Sequence, residues 1–192
     1  MNNWQQVNLN LIAKAIGEMV FEETLIVSES DSLFTFTTSA GVSYSFQGQK
    51  SLWNWVKVDP NSITRNGSSQ LEASLFFIDT QEYTQMSDIT LAQFIEEMRS
   101  TLFADLKLLQ GPSINEFIKL NYLESQQSLN GHPKILMNKG RIGWDSNDWR
   151  KYAPENKELF PLRLIAIKTS FLKGVLPQNK HYESLTSSEH IE

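Results

Sequence analysis

Lys139 and Arg141 stand one residue apart in the stretch Gly131-His132-Pro133-Lys134-Ile135-Leu136-Met137-Asn138-Lys139-Gly140-Arg141-Ile142-Gly143-Trp144. That stretch holds three of the nine glycines, one of the three histidines and three cations in a chain whose net charge is −5. Glycine-rich backbone offers amide donors that side chains do not cover, and such amides form concavities for anions. Arg141 can grip a carboxylate or phosphate with a bidentate fork, while Lys139 supplies a mobile point charge. With one residue between them, the two can reach one pocket if the backbone is irregular. His132 can donate to developing charge or move a proton near neutral pH, and Pro133 biases it towards extended geometry. The pattern therefore predicts an anion site. The same stretch also reads as a helix C-cap followed by a solvated connection, with His132 bonded to the last helical carbonyls.

Spacing adds a resemblance. Gly131-His132-Pro133, then five residues, then Lys139-x-Arg141-x-Gly143 resembles the Gly-His-Pro-x-His-Pro-x-x-Lys-x-Arg-x-Gly signature of the NRPS-independent siderophore synthetases, the aerobactin-synthetase (IucA/IucC) family. Ile135-Leu136 replaces the second His-Pro, and Tyr152-Ala153-Pro154-Glu155 resembles the Tyr-x-Pro-Glu that follows in relatives. The resemblance implies an ATP-dependent ligase that adenylates a carboxylate, citrate or a similar di- or tricarboxylate, and passes it to an amine or hydroxyl. It implies His132, Lys139 and Arg141 as catalytic residues, and Gly131, His132, Lys139 and Arg141 as ATP-binding residues. Mg2+ is expected with ATP, its ligands lying outside this segment, and a homodimer is implied for the full-length enzyme. On this reading the chain is the N-terminal portion of a longer synthetase and is not active alone. The rival from another class is a non-catalytic module that binds a polyanion or a protein through the same loop.

Composition narrows the field. At 192 residues the chain can bury a real core, and 40% hydrophobic with 20% charged residues is ordinary for a soluble protein. Without cysteine there is no thiolate chemistry, which fits a reducing cytoplasm. The acidic balance argues against general nucleic-acid binding, and no apolar run reaches the ~20 residues that a membrane span needs. No P-loop glycine pattern, nucleophile elbow or His-x-x-His zinc pattern occurs; His181 and His190 fall in a polar tail.

The elements that must position the loop follow from periodicity. Trp4, Val7, Leu11, Ile12, Ile16, Met19 and Val20 recur at helical spacing over residues 4–21, with Gln5, Asn8, Lys14 and Glu18 on the other face. From Leu25 to Val58 the period is two, predicting a meander of three or four antiparallel strands in which Trp53 and Trp55 alternate; Asp59-Pro60-Asn61 ends it. Residues 70–84 are assigned to helix. Thr90-x-x-Gln93 predicts a capping box, followed by the stripe Leu91, Phe94, Ile95, Met98, Leu102, Leu106 and Leu109, and Gly111-Pro112 closes that helix. Ser113-x-x-Glu116 opens a long helix through Phe117, Tyr122 and Leu129 to Asn130-Gly131. Asp145 to Asp148 cap a short helix carrying Trp149 to Tyr152, and Leu162 to Phe171 reads as a further strand. The fold class is α+β: an N-terminal helix, an antiparallel meander, a helical block leading into the Gly-His-Pro…Lys-x-Arg-x-Gly loop, and a further strand. Residues 1–178 are expected to form the domain and 179–192 a polar tail or linker. Arg141, as a loop residue, is expected to contribute little to folding, and Lys134, Arg150 and Glu124 are second-tier candidates.

Overall fold

The computed structural model describes residues 2–156, 158–163 and 165–171. The chain divides into two compact units, Met1–Leu159 and Phe160–Glu192. The first is an α+β assembly that opens on helix α1, Asn3–Phe21, whose N-cap Asn2 accepts from the Gln5 amide at 2.8 Å. Its apolar stripe is buried as predicted, but the opposite face is not a solvated one. Asn8 is buried; its Nδ2 donates to the Trp4 carbonyl and its Oδ1 accepts from the Ala73 amide, both within 2.9 Å.

Five strands follow: β1 Ser28–Ser30, β2 Leu33–Thr37, β3 Ser43–Lys50, β4 Val56–Val58 and β5 Thr64–Arg65. They form one antiparallel sheet centred on β3, which pairs with β2 (Phe34 opposite Phe46, Phe36 opposite Tyr44), with β4 through Gly48–Lys50 and with β5 through Tyr44–Ser45. Alternation places Phe34, Phe36, Tyr44 and Phe46 on the buried face, where the opposed rings stack at 5.5 and 5.0 Å. Gly17 allows α1 to lie against β4, since a Cβ there would sit 2.9 Å from the Val56 carbonyl oxygen. The two tryptophans correct the predicted strand. Leu52–Asn54 is a 3-10 turn that reverses β3 into β4, with Trp53 left-handed at φ 56° and exposed. The reversal carries no glycine or proline to announce it.

The helical block comprises α2 Ala73–Asp79, α3 Gln81–Thr84, α4 Asp88–Leu108, α5 Ile114–Phe117 and α6 Tyr122–Gln127. Of the residues 70–84 assigned to helix, Ala73–Asp79 and Gln81–Thr84 are helical, whereas residues 70–72 are extended or irregular and Thr80 is a turn. Phe76 packs edge-on against Tyr44 of the sheet at 5.5 Å, and Phe77 against Phe94 of α4 at 4.8 Å. Asp79 ties the block to the sheet, accepting from Tyr44 Oη at 2.6 Å and from Arg65 Nε and Nη2 at 2.6 and 3.1 Å. Two expectations change here. Helix α4 begins earlier than the Thr90-x-x-Gln93 pattern suggested, because Ser87 is its cap and accepts from the Thr90 amide at 3.2 Å. The long helix expected after Ser113 breaks in two, because Asn121 caps a second start in a reciprocal box with Glu124. An asparagine that can satisfy orphan amides outcompetes helix continuation.

Helix α7, Ser146–Tyr152, starts at Asp145 as predicted, and the 3-10 turn Pro154–Asn156 follows it. In the second unit the strand expected over Leu162–Phe171 is absent among the described residues, which carry only the 3-10 turn Thr169–Phe171. Leu162, Ile165 and Ile167 are exposed there, and no ladder among the described residues includes them, so apolar composition alone did not make a strand. Leu164, the 179–192 tail and His181 and His190 lie outside the described residues. Among the described residues no helix is long and apolar enough to cross a membrane.

Candidate functional site

The loop from Gly131 to Trp144 is held from three sides. Lys14 and Glu18, one turn apart on α1, hold its first half. Lys14 Nζ donates to the His132 and Ile135 carbonyls at 3.1 and 2.6 Å, and Glu18 lies 3.6 Å from Lys134 Nζ, which also sits over the Phe21 ring. From α4, Thr101 Oγ1 accepts the Lys139 amide at 3.4 Å. Within the loop, Asn138 Nδ2 donates to the Asn130 carbonyl at 2.6 Å, packed where only glycine fits at 131: φ is +80° and a Cβ would lie 2.9 Å from that nitrogen.

The predicted site residues then separate into two groups. Gly131 and His132 are exposed, and His132 Nδ1 accepts from the Lys134 amide at 3.2 Å, so a neutral ring carries its proton on Nε2. His132 therefore bonds forward into its own loop and not back to helical carbonyls. Lys139 and Arg141 turn inward and converge on Glu155. Lys139 Nζ and Arg141 Nη2 both donate to Glu155 Oε1, at 2.8 and 2.7 Å, and Arg141 Nη2 also reaches Oε2 at 2.8 Å. Lys139 Nζ further neutralises the Leu129 carbonyl at 2.9 Å, near the carbonyl end of α6. Side-chain exposure is 10% for Lys139, 17% for Arg141 and 3% for Glu155. The expectation that Arg141 contributes little to folding is therefore corrected: it is a largely buried partner of a buried carboxylate. Its Nη1 is buried without a hydrogen-bond partner, and its guanidinium lies 5.3 Å from the Trp144 ring. Lys134 is a surface pair and Glu124 a capping residue.

Two residues matter here that the candidate set did not include. Glu155 appeared only as the end of the Tyr-x-Pro-Glu pattern; it is presented by the turn after α7, with Asn156 Nδ2 anchored to the Trp149 carbonyl at 2.8 Å. Asp105 lies one turn beyond Thr101 on α4, and polar residues four apart beside an apolar stripe were the available signal. Burial pushes the Asp105 carboxyl above its usual range, against the lowering fields of Lys139 and Lys14. Burial opposes ionisation of Glu155 too, but hydrogen bonds from Lys139 and then Arg141 overcome it and hold its carboxyl below the usual glutamate range.

A pH dependence follows for Glu155. Its folded pKa is depressed, so the stabilisation is present above the unfolded value of about 4.3 and is lost as pH falls through the lower folded value. The difference in denaturation midpoint between wild type and Glu155→Gln should be constant from neutral pH down to that range and shrink below it. A difference that stays constant through that window would show that folding leaves the Glu155 carboxyl unshifted, so that its ionised form adds no stability.

With that geometry in hand, relatives can be compared. Residues 121–192 match the model of the IucA/IucC family. The chain is similar to aerobactin synthase of Vibrio mimicus (33% identity over 79% of this chain) and of Escherichia coli (31% over 86%). Its fold matches the aerobactin synthetase IucC structure from Klebsiella pneumoniae with a TM-score of 0.74 at 30% identity, over 80% of this chain. The chain belongs to the IucA/IucC family. It is a partial-length member, spanning 27% and 29% of the two aerobactin synthases and 29% of the IucC structure. In this IucA/IucC segment the family-model match covers Lys139, Arg141 and Glu155. Lys14 and Asp105, which face the same loop, lie outside that match.

Proposed function

We propose that the chain is the N-terminal part of an ATP-dependent siderophore synthetase that adenylates a carboxylate, citrate or a similar di- or tricarboxylate, and condenses it with an amine or hydroxyl. Supporting observations are the family membership and, above all, the convergence of Lys139 and Arg141 on a single carboxylate oxygen at 2.8 and 2.7 Å. A site that seats one carboxylate between two cations has the donor arrangement that oxyanions require. ATP would supply phosphate leaving-group chemistry, with Mg2+ held by carboxylates outside this segment. Within it, the exposed His132 has Nε2 as its donor, the Gly131 to His132 backbone lies beside it, and Lys139 and Arg141 provide the positive field that offsets repulsion between two polyanions. Full-length protein working as a cytoplasmic homodimer on small-molecule substrates belongs to the same proposal.

The test is titration of isotope-labelled chain with citrate, ATP and pyrophosphate. Resonances of His132, Lys139 and Arg141 are expected to move saturably. Unperturbed spectra at tens of millimolar of each anion would reject a preformed site. The segment alone is not expected to release pyrophosphate in response to carboxylate, because it provides one wall of the site. Saturable binding of anions in general, with no preference for ATP or citrate over sulfate, would favour the non-catalytic polyanion-binding module.

A further inference from the structure

Beside the loop, α1 and α4 flank an open cavity of about 540 Å3 whose lining includes Leu11 and Leu108 together with Lys14, Asp105, His132 and Asn138. The lysine in it is already engaged, since Lys14 Nζ donates to two loop carbonyls. What the cavity retains is acceptor capacity. Among the described residues no hydrogen bond or ion pair reaches the Asp105 carboxylate; Lys139, Lys14 and Glu155 act on it only through space. Asn138 directs its amide nitrogen at the Asn130 carbonyl, and its Oδ1 is buried with no partner. An ionised carboxylate accepts and never donates, so the half-buried Asp105 carboxylate without a donor defines the missing complement as a group rich in N–H or O–H. Leaving such an acceptor half-desolvated is costly unless a ligand completes it.

We propose that this cavity is a donor-recognition site in which Asp105, with Asn138 lining the same space, binds a primary ammonium or a hydroxyl-bearing group attached to a short aliphatic chain. The apolar walls fit the aliphatic part, and the position beside His132 places the bound head next to the loop. Assigning the ligand as the amine or hydroxyl that attacks the activated carboxylate rests on the function proposed above; the preference for donors rests on the cavity alone.

The probe is n-butylammonium chloride, titrated into isotope-labelled chain while the Asp105 side-chain carboxyl carbon and the Asn138 side-chain resonances are followed. Tetramethylammonium, a cation without N–H donors, is the control, and citrate is titrated in parallel. Butylammonium should shift both residues saturably, and Asp105→Asn should weaken binding about tenfold, the scale of one charge-assisted hydrogen bond. Three results overturn the inference: no saturable shift, equal binding by Asp105→Asn, or an equal response to tetramethylammonium. The wild-type carboxyl signal decides the matter without any variant, so a misfolded Asp105→Asn would not shelter the idea. If citrate moves Arg141 and His132 while butylammonium does nothing, this inference falls and the synthetase reading stands. If butylammonium binds and citrate does not, the donor site stands without that reading.

Discussion

Glu155→Ala is expected to destabilise the chain by about 3–5 kcal/mol, the range for removing one partner from a buried ion pair. The substitution leaves Lys139 and Arg141, at 10% and 17% side-chain exposure, facing each other without a counterion. Their repulsion and their unmet donors should open residues 139–155 before the sheet melts. Urea denaturation followed by far-ultraviolet circular dichroism measures the total, and hydrogen exchange at Trp149 and Ala153 reports the local opening. Glu155→Gln keeps the shape and one acceptor oxygen, so it should fall between wild type and alanine. A midpoint unchanged by alanine would mean that the carboxylate is idle. Arg141→Ala shares part of this cost, so its effect on catalysis in a full-length enzyme must be read beside a stability measurement. Arg141→Lys, which keeps the charge and loses the planar donors, is the cleaner probe.

Phe76→Ala should cost a comparable 3–5 kcal/mol or so, for a different reason. Phe76 is fully buried where α2 meets the sheet, edge-on to Tyr44 at 5.5 Å and to Phe77 at 5.3 Å. Removing the ring leaves a cavity at the junction and frees Tyr44, whose hydroxyl donates to Asp79. The loss should appear as a cooperative drop in the global midpoint, without selective opening of the loop. Differential scanning calorimetry together with the same exchange experiment separates the two patterns. Selective loop opening by Phe76→Ala, or a loss below about 1 kcal/mol, would contradict this description of the core.

What the sequence revealed and what it hid follow from range. Stripes and alternation are local, so α1, the aromatic strands and α4 were readable from Trp4 to Leu109. Asp145 was readable as a cap because its partners, the Asn147 and Asp148 amides, are its neighbours. The hairpin at Trp53 was hidden because its left-handed residues are not glycines. The split at Asn121 was hidden because an asparagine inside an apolar pattern looks like an exposed helix position. At the site, residue types and spacing indicated cations able to meet at one point, and they do meet. The identity of what they meet was not readable, since Glu155 lies fourteen residues beyond Arg141 and nothing local links them. Lys14 and Asp105 were harder still, as their roles exist only once α1 and α4 flank the loop.

The two sets of contacts on the loop differ greatly in how far along the chain they reach. The bonds to Glu155 span 14 and 16 residues, whereas those from Lys14 span 118 and 121. Closing a short circuit costs far less chain entropy than closing one across most of the polypeptide. The Arg141–Glu155 ring can therefore assemble early, as a self-contained hoop around α7, while the His132 end stays loose until the first helix arrives. The His132 half of the loop is thus the last part to be tailored. Its geometry certifies that the chain from residue 14 to residue 135 has been threaded correctly.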